Sequence, residues 1–597
     1  MPCPPPRRTG LSQGIRSRAD DGWAPRDIAR GEHQTYTSPV WVSRGASEAP
    51  TNPAPRRHRS TVVRGEDGTN PEKAPTRWLA GAAHALGGLL AAGAALAVAE
   101  LVASGVRREA GPVTAVGGAV VDRTPAPVKD WAIETFGTHD KLVLRLGIVA
   151  LLTLFAAALG LLAARHRRLA AAGVLLFGVV GVLAAAERPD AGRFDAVPSA
   201  CGAVGGALAL YLVAGRAPAP TGRRSPTEPG PPRPDFDRRA FVVAASAVAA
   251  TTAGAGFVAS RVNAAGRAEA SAGRAAIRLP GPASAAPRMP RGAELRVPGL
   301  GPLVTPNADF YRVDTALTVP RVDAGSWRLR VHGAGVTRPL SLTFDDLLRR
   351  ELVERRITLT CVSNPVGGPY AGNAHWIGVP LAEVLREAGV RPPSAGGQAD
   401  QLVSRSVDGM TIGTPVETVL DGRDALLALG MNGEPLPFAH GFPVRMLVPG
   451  LYGYVSACKW LSELELTTFD TYDAYWVERG WSREAPIKTQ SRIDTPRGLA
   501  RLTAGTVQVA GVAWAQHTGV DGVEVQVDDG PWLPAELADE DSVDTWRQWR
   551  WEWRAEPGRH QLRVRATDRS GETQTADRAD PVPDGATGRH SVVVDVT

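Results

Sequence analysis

The sequence predicts a multidomain chain: an α-helical transmembrane N-terminal region, then an α+β domain, then a C-terminal Ig-like β-sandwich. Three observations predict it. Residues 78–260 are crowded with Ala, Leu, Val and Gly, whereas 285–597 have the mixed composition of a soluble protein. The first stretch holds five apolar runs, each near the ~20 residues a helix needs to cross ~30 Å of hydrocarbon. From about 485 onward, short alternating runs are separated by turns, as in a two-sheet β domain. The mean hydropathy of −0.11 averages over these unlike parts, and 597 residues are too many for one ordinary domain.

Residues 1–77 are polar, rich in Pro, Arg, Gly and Ser, without a sustained apolar period, and are expected to be disordered. The apolar runs of the membrane region (78–260) lie at 78–104, 142–164, 169–187, 197–214 and 240–260. Their connections fix an orientation, because basic residues stay on the cytoplasmic side. Arg165, Arg167 and Arg168 join the second and third runs, and Arg216, Arg223, Arg224, Arg233, Arg238 and Arg239 precede the fifth. The N-terminus is therefore expected inside and the half after the fifth crossing outside, as a multi-pass cell-membrane protein with an extracytoplasmic domain. Asp237-Arg238-Arg239 ahead of an apolar run also looks like a twin-arginine export signal. A plain positive-inside anchor reads the same residues equally well. His84 and His166, in or beside apolar runs, are read as structural.

Residues 261–300, rich in Ala, Gly and Pro, are expected to be a tether, and regular structure is expected from near 300. In the domain at 301–478, Trp327-Arg328-Leu329-Arg330-Val331 alternates as a strand. Thr343 and Asp346 make a near capping box for a helix start. Arg356-Ile357-Thr358-Leu359-Thr360 reads as a strand delivering Cys361 to a loop mouth. The four cysteines, Cys3, Cys201, Cys361 and Cys458, form no CxxC, zinc or haem spacing, so a chemically active cysteine acts alone. The 67 Lys and Arg against 61 Asp and Glu leave a net charge of +6, spread along the chain, which argues against a nucleic-acid partner.

Two blocks carry a specific resemblance. The first runs Thr358-Leu359-Thr360-Cys361-Val362-Ser363-Asn364-Pro365, continued by Asn373-Ala374-His375-Trp376. The second is Met431-Asn432-Gly433-Glu434-Pro435, then His440-Gly441-Phe442-Pro443-Val444-Arg445. Together they resemble the molybdopterin-binding domain of the sulfite-oxidase family, and 485–597 resembles that family's Ig-like dimerisation domain. The resemblance implies a Mo-molybdopterin cofactor with Cys361 as its thiolate ligand, a role suited to soft sulfur. It also implies cofactor contacts from Asn307, Tyr311, Arg312, Ser406, His440, Arg445, Ser456, Ala457 and Cys458. Arginine's fixed fork of donors suits a phosphate. The activity implied is two-electron oxygen-atom transfer on a small molecule, sulfite or an S-oxide. Electrons would pass through a separate partner, a cytochrome or a quinone-linked protein, and the chain would form a homodimer through the last domain.

The departures matter. No arginine follows Cys361 closely, and His375 stands where relatives are expected to carry arginine, which weakens an anion pocket and keeps S-oxide reduction (as in periplasmic methionine sulfoxide reductases) as the alternative. Tyr472 and Tyr475 are candidates either for the pocket or for packing. A reading of another class is a metal-free extracytoplasmic sensor or assembly module.

Overall fold

The computed structural model describes residues 73–597 apart from 108–109, 125–127, 129–134, 137–139, 189–190, 218–237 and 317. The disorder expected for 1–77 lies outside the described residues, except that the first helix begins at Lys73. The N-terminal apolar region consists of α1 (Lys73–Val106), α2 (Pro112–Arg123), α3 (Asp140–Ala186), α4 (Val197–Ala214) and α5 (Arg238–Ala276). Four of these are long and apolar enough to cross a membrane; α2 is too short.

Helix α3 is not one rod. Its apolar part covers 45 residues, ~68 Å if straight, more than twice a bilayer core. The backbone breaks at His166 (φ −137°, ψ 66°). The rings of Phe155 and Phe177 then meet at 5.1 Å, although 22 residues of straight helix would hold them ~33 Å apart. It is a helical hairpin, so the four helices supply five apolar segments, and the runs 142–164 and 169–187 lie on either side of the break. Small residues let the segments touch at backbone level. A Cβ on Gly88 of α1 would strike the carbonyl of Ala156, and one on Gly160 would strike that of His84. Such close approach is how helices associate where no hydrophobic force separates helix from lipid. Arg167, in the hairpin turn, lies over the ring of Tyr211 at 4.8 Å, so the basic ends gather at one end of the bundle.

The tether expected over 261–300 is corrected. Helix α5 runs unbroken to Ala276, because the Ala-rich stretch after 260 has high helix propensity. Its last turn clamps the β-rich half: Arg274 donates from Nε to the Leu436 carbonyl at 2.7 Å and pairs with Glu434 at 2.9 Å. Residues 283–284 then pair beside a strand edge, with Ala283 N–H to Leu352 O at 2.7 Å and Glu354 N–H to Ser284 O at 2.8 Å. Regular structure starts at Arg328 rather than near 300. The Pro- and Gly-rich stretch before it is irregular but packed, with Leu303 and Phe310 buried.

The catalytic half is built on two sheets, one mixed through the parallel pair β1/β10 and one antiparallel throughout. One has the order β2-β1-β10-β5-β6, the other β3-β4-β7-β8 with β9 beside β7. The strands are β1 (Arg328–Gly333), β2 (Leu340–Thr343), β3 (Val353–Thr360), β4 (Ala371–Pro380), β5 (Gln401–Ser406), β6 (Thr411–Pro415), β7 (Leu426–Met431), β8 (Glu434–Pro435), β9 (Arg445–Leu447) and β10 (Leu461–Thr467). The expected helix start is α6 (Phe344–Leu348), where Thr343 and Asp346 cap each other in a complete capping box.

The last domain is a two-sheet sandwich. Gln490–Thr495, Gly505–Trp514, Arg547–Ala555 and Glu536–Leu537 form one sheet. Arg501–Leu502, Ser591–Val596, Gly558–Asp568, Val520–Val527 and Leu533–Pro534 form the other. Trp549 and Trp553 point inward from one face of their strand into the shared core, as period-2 alternation requires. This domain covers the free edge of β3: the N–H of Thr358 bonds to the carbonyl of Asp544 at 2.9 Å, and its hydroxyl accepts from Trp546 N–H at 2.8 Å. Arg356 forms a buried ion pair with Asp541.

Candidate active site

Cys361 sits where β3 ends. Its N–H bonds back to Tyr370 O at 2.9 Å, closing the loop that leads into β4, and the Asn364 side chain pins the far side by accepting from Tyr370 N–H at 2.8 Å. Gly367 (φ +78°) lies so close under His590 of the sandwich that any Cβ there would collide with the imidazole. The Cys361 thiol lies 2.9 Å from the Ser363 hydroxyl. Burial pushes its pKa up, opposed by the Ser363 hydrogen bonds and by the charge of Lys459. Left alone it is a thiol; a bound cation is what would favour the thiolate.

It faces a cavity of about 130 Å³ between the ends of the two sheets. Of the expected site residues, Cys361, Tyr311, Ser406, Arg445, Ala457 and Cys458 line it. Burial raises the Cys458 thiol to about 12, and it also raises the phenol of Tyr311. Tyr311 stacks on Phe310 at 5.3 Å. Ser406 closes the turn between β5 and β6, with its carbonyl accepting from Gly409 N–H at 3.0 Å.

Arg445, on β9, is the most telling residue. It is 7 % exposed. Its one hydrogen bond to a described residue is a long one, 3.4 Å to the His440 carbonyl, and its Nε is buried without a partner. No carboxylate pairs with it among the described residues, and its guanidinium lies 5.5 Å from the Trp376 ring centre. Burial lowers its pKa to about 10, so it stays charged at neutral pH. A buried cation with unmet donors is costly unless an anion completes it.

His440 stands beside it. Burial, then the Arg445 charge, holds its pKa down at about 4. The neutral ring donates from Nε2 to the Asn307 carbonyl at 3.1 Å. A continuous strip thus runs from Cys361 past Tyr311 and Arg445 to His440.

Several expectations need correction. Asn307 contributes that carbonyl, not its side chain, whose amide is spent on Glu434 (2.6 Å) and Asn432 (2.8 Å). Ser456 turns away: its hydroxyl points at the carbonyls of Leu451 and Tyr452, 2.9 and 3.0 Å off, in its own helical turn. Arg312 is outside the cavity wall, 43 % exposed, and pairs with Asp314 at 3.3 Å. His375 does not reach the Cys361 cavity; its Nδ1 lies 3.8 Å from Glu354 on the neighbouring strand. Tyr472 bonds Thr411 at 3.2 Å and Tyr475 packs under Arg479 at 3.5 Å, so neither lines the cavity.

Other lining residues were not foreseen. Lys459 pairs with the buried Asp314 at 2.8 Å, and Trp460, Trp476 and Trp481 supply aromatic walls beside Met410 and Asp408. Lys459 and Trp460 directly follow Cys458, which was a usable signal. Asp314 carried none, since only tertiary packing brings it to Lys459.

Comparison with known proteins finds relatives of the domain that holds this site. Residues 316–476 match the family described as the oxidoreductase molybdopterin binding domain. Mitochondrial sulfite oxidase of Mus musculus is 31 % identical over 290 residues, covering 41 % of this chain and 52 % of that one. The human enzyme is 29 % identical over 305 residues, 44 % of this chain and 55 % of that one. An NADH nitrate reductase of Oryza sativa subsp. japonica is 34 % identical over 195 residues, 29 % of this chain and 21 % of that one. The solved sulfane dehydrogenase SoxCD of Paracoccus pantotrophus is 23 % identical, with a TM-score of 0.43 over 49 % of this chain and 83 % of that one. The chain spans about half the length of the sulfite oxidases it matches. Residues 316–476 are thus a molybdopterin-binding oxidoreductase domain similar to that of the sulfite oxidases, and Mo-molybdopterin is the cofactor that this domain implies.

Proposed function

We propose that the chain is a membrane-anchored Mo-molybdopterin oxidoreductase that moves one oxygen atom between water and a sulfur-centred small molecule. The observation that carries this reading is Arg445, a buried guanidinium with unmet donors on a strip that begins at Cys361. The residues fit the cofactor: a soft sulfur at one end, and at the other a cation that needs an anion such as the pterin's phosphate. Cys361 would hold the metal, and Arg445 with neutral His440 would hold the phosphate end. When bound, the group supplies the two-electron oxygen-atom transfer that no side chain can perform. The chain's own part is to fix the cofactor, shape the pocket and set its charge.

A second reading, S-oxide reduction, is favoured by the pocket's charge. The cation beside Cys361, Lys459, is already matched by Asp314. Asp408 adds negative character, three tryptophans form the walls, and the Cys361 loop continues as Val362-Ser363-Asn364-Pro365 without arginine. A neutral S-oxide suits this lining better than the sulfite dianion. The apolar segments are read as membrane spans with the catalytic half outside, and the sandwich as an Ig-like domain that pairs two copies.

The test is one preparation. The full chain is purified in detergent, wild type beside Cys361→Ser, sized, and analysed for molybdenum. We expect about one metal per chain in wild type, little in the variant, and a dimer in both. Equal metal in the two proteins removes Cys361 as ligand. Folded wild type free of molybdenum, from cells that make the cofactor, moves the sensor or assembly reading to the front. A monomer ends the pairing claim. Sulfite and S-oxide turnover then choose between the two substrates.

A further inference from the structure

A second cavity, of about 460 Å³, lies between the membrane helices and the catalytic domain. Its membrane-side wall comes from Glu100 near the C-terminal end of α1, Thr114 near the N-terminal end of α2, and Asn263 and Arg267 along the second half of α5. Its other wall comes from the catalytic half, including Thr318, Pro320 and Met410. Thr315, Asp408 and Met410 belong to this wall and also to the wall of the Cys361 cavity. The two spaces are therefore separated by single side chains.

The lining is chemically specific. Arg267 makes no ion pair among the described residues. The Oδ1 of Asn263 is buried without a hydrogen-bond partner. These groups suit a ligand whose polar atoms alternate between carbonyl and hydroxyl: Arg267 donates to a carbonyl, and the Asn263 amide accepts from a hydroxyl or, turned over, donates. Val121, Val319, Pro320 and Met410 give apolar surface for a ring. On the opposite face of α2 lies an apolar cavity of the same volume, walled by Val116, Val120, Leu152 and Phe155. The junction cavity thus offers polar groups for a head beside apolar surface for a ring, next to helices long and apolar enough to cross a membrane.

We propose that the junction cavity is a quinone site, through which this chain itself exchanges electrons between its catalytic pocket and the membrane. The proposal rests on the molybdenum reading and on the helices as membrane spans. The balance closes: transfer of one oxygen from water to sulfite releases two electrons and two protons, which convert one quinone to its quinol. In the other direction, an S-oxide gives up its oxygen as water while a quinol becomes quinone. The carboxylates of Glu100 and Asp408 line the same cavity and place proton carriers beside the ring.

The experiment uses the full chain in phosphatidylcholine nanodiscs and a decyl-substituted benzoquinone as probe. Binding is measured first on Cys361→Ser protein, so that it does not depend on a loaded catalytic site. We expect saturable binding, weakened at least tenfold by Asn263→Leu combined with Arg267→Ala. In loaded protein that double variant should lose quinone-coupled turnover by a similar factor and keep its rate with ferricyanide. Absent saturable binding, or equal affinity in the variant, overturns the site. Quinone binding that responds to the variant, in a protein inactive with ferricyanide, supports the site and overturns the molybdenum reading instead.

Discussion

Two cations near Cys361 look alike in the sequence and differ in the structure. Lys459 is neutralised by Asp314 at 2.8 Å. Arg445 has only a 3.4 Å bond to a carbonyl and a buried, unpartnered Nε. The first is a satisfied ion pair; the second is half of one. Charge-assisted bonds to a phosphate contribute about 1.5–3 kcal/mol each, so losing the fork should cost about tenfold or more in cofactor retention. We expect Arg445→Lys, which keeps the charge but not the planar fork, to purify with much less pterin and molybdenum than wild type while melting at a similar temperature. Wild-type cofactor content in Arg445→Lys would show that the fork is not what holds the anion. The HGFPVR string made Arg445 and His440 legible in advance. It did not show that Asn307 acts through its carbonyl, or that Ser456 is turned inward, because backbone groups and rotamers leave no trace in residue type.

At the scale of elements, the apolar runs were legible because each is near the ~20 residues that a helix able to cross hydrocarbon needs. The two runs on either side of Arg165-His166-Arg167-Arg168 proved to be arms of one hairpin. The tether failed as an expectation because Ala-rich composition was read as loose, when Ala is the strongest helix former. The contacts between helices were illegible for another reason: glycines occur throughout these runs, and only packing reveals which ones matter. Gly88 and Gly160 are such a pair, each with a backbone carbonyl where a Cβ would sit. We therefore expect Gly160→Leu to force α1 off the hairpin and lower the thermal midpoint of the detergent-solubilised chain. Gly147→Leu, at an open position on the same helix, should leave it unchanged. Equal midpoints for the two variants would show that close helix contact at Gly160 is unimportant.

Across the whole molecule, the sandwich is coupled to the catalytic loop through His590. The imidazole sits against Gly367, six residues after Cys361, and its Nδ1 accepts from the Ile493 N–H at 3.0 Å. Acceptance requires an unprotonated Nδ1. Burial, then the charge of Arg492, holds the His590 pKa down at about 4 against an ordinary 6.5. The unfolded chain thus binds a proton that the folded chain refuses between those values. The stabilisation is complete above pH 6.5 and is lost as pH falls toward 4, with a ceiling of about 3 kcal/mol. His440 is held down to a similar value and contributes in the same direction, so the two must be separated. Protonating His590 loosens the support beneath Gly367, whereas protonating His440 weakens its bond to Asn307 at the far end of the strip. Cys361 reports on the first. In cofactor-free Cys458→Ala protein, alkylation of Cys361, corrected for the thiolate fraction at each pH, should speed up as pH drops from 6.5 to 4.5. In His590→Asn the rate should be high already and nearly independent of pH. A corrected rate that is flat in both proteins, or that rises equally in both, would mean that the sandwich does not hold the Cys361 loop through this histidine.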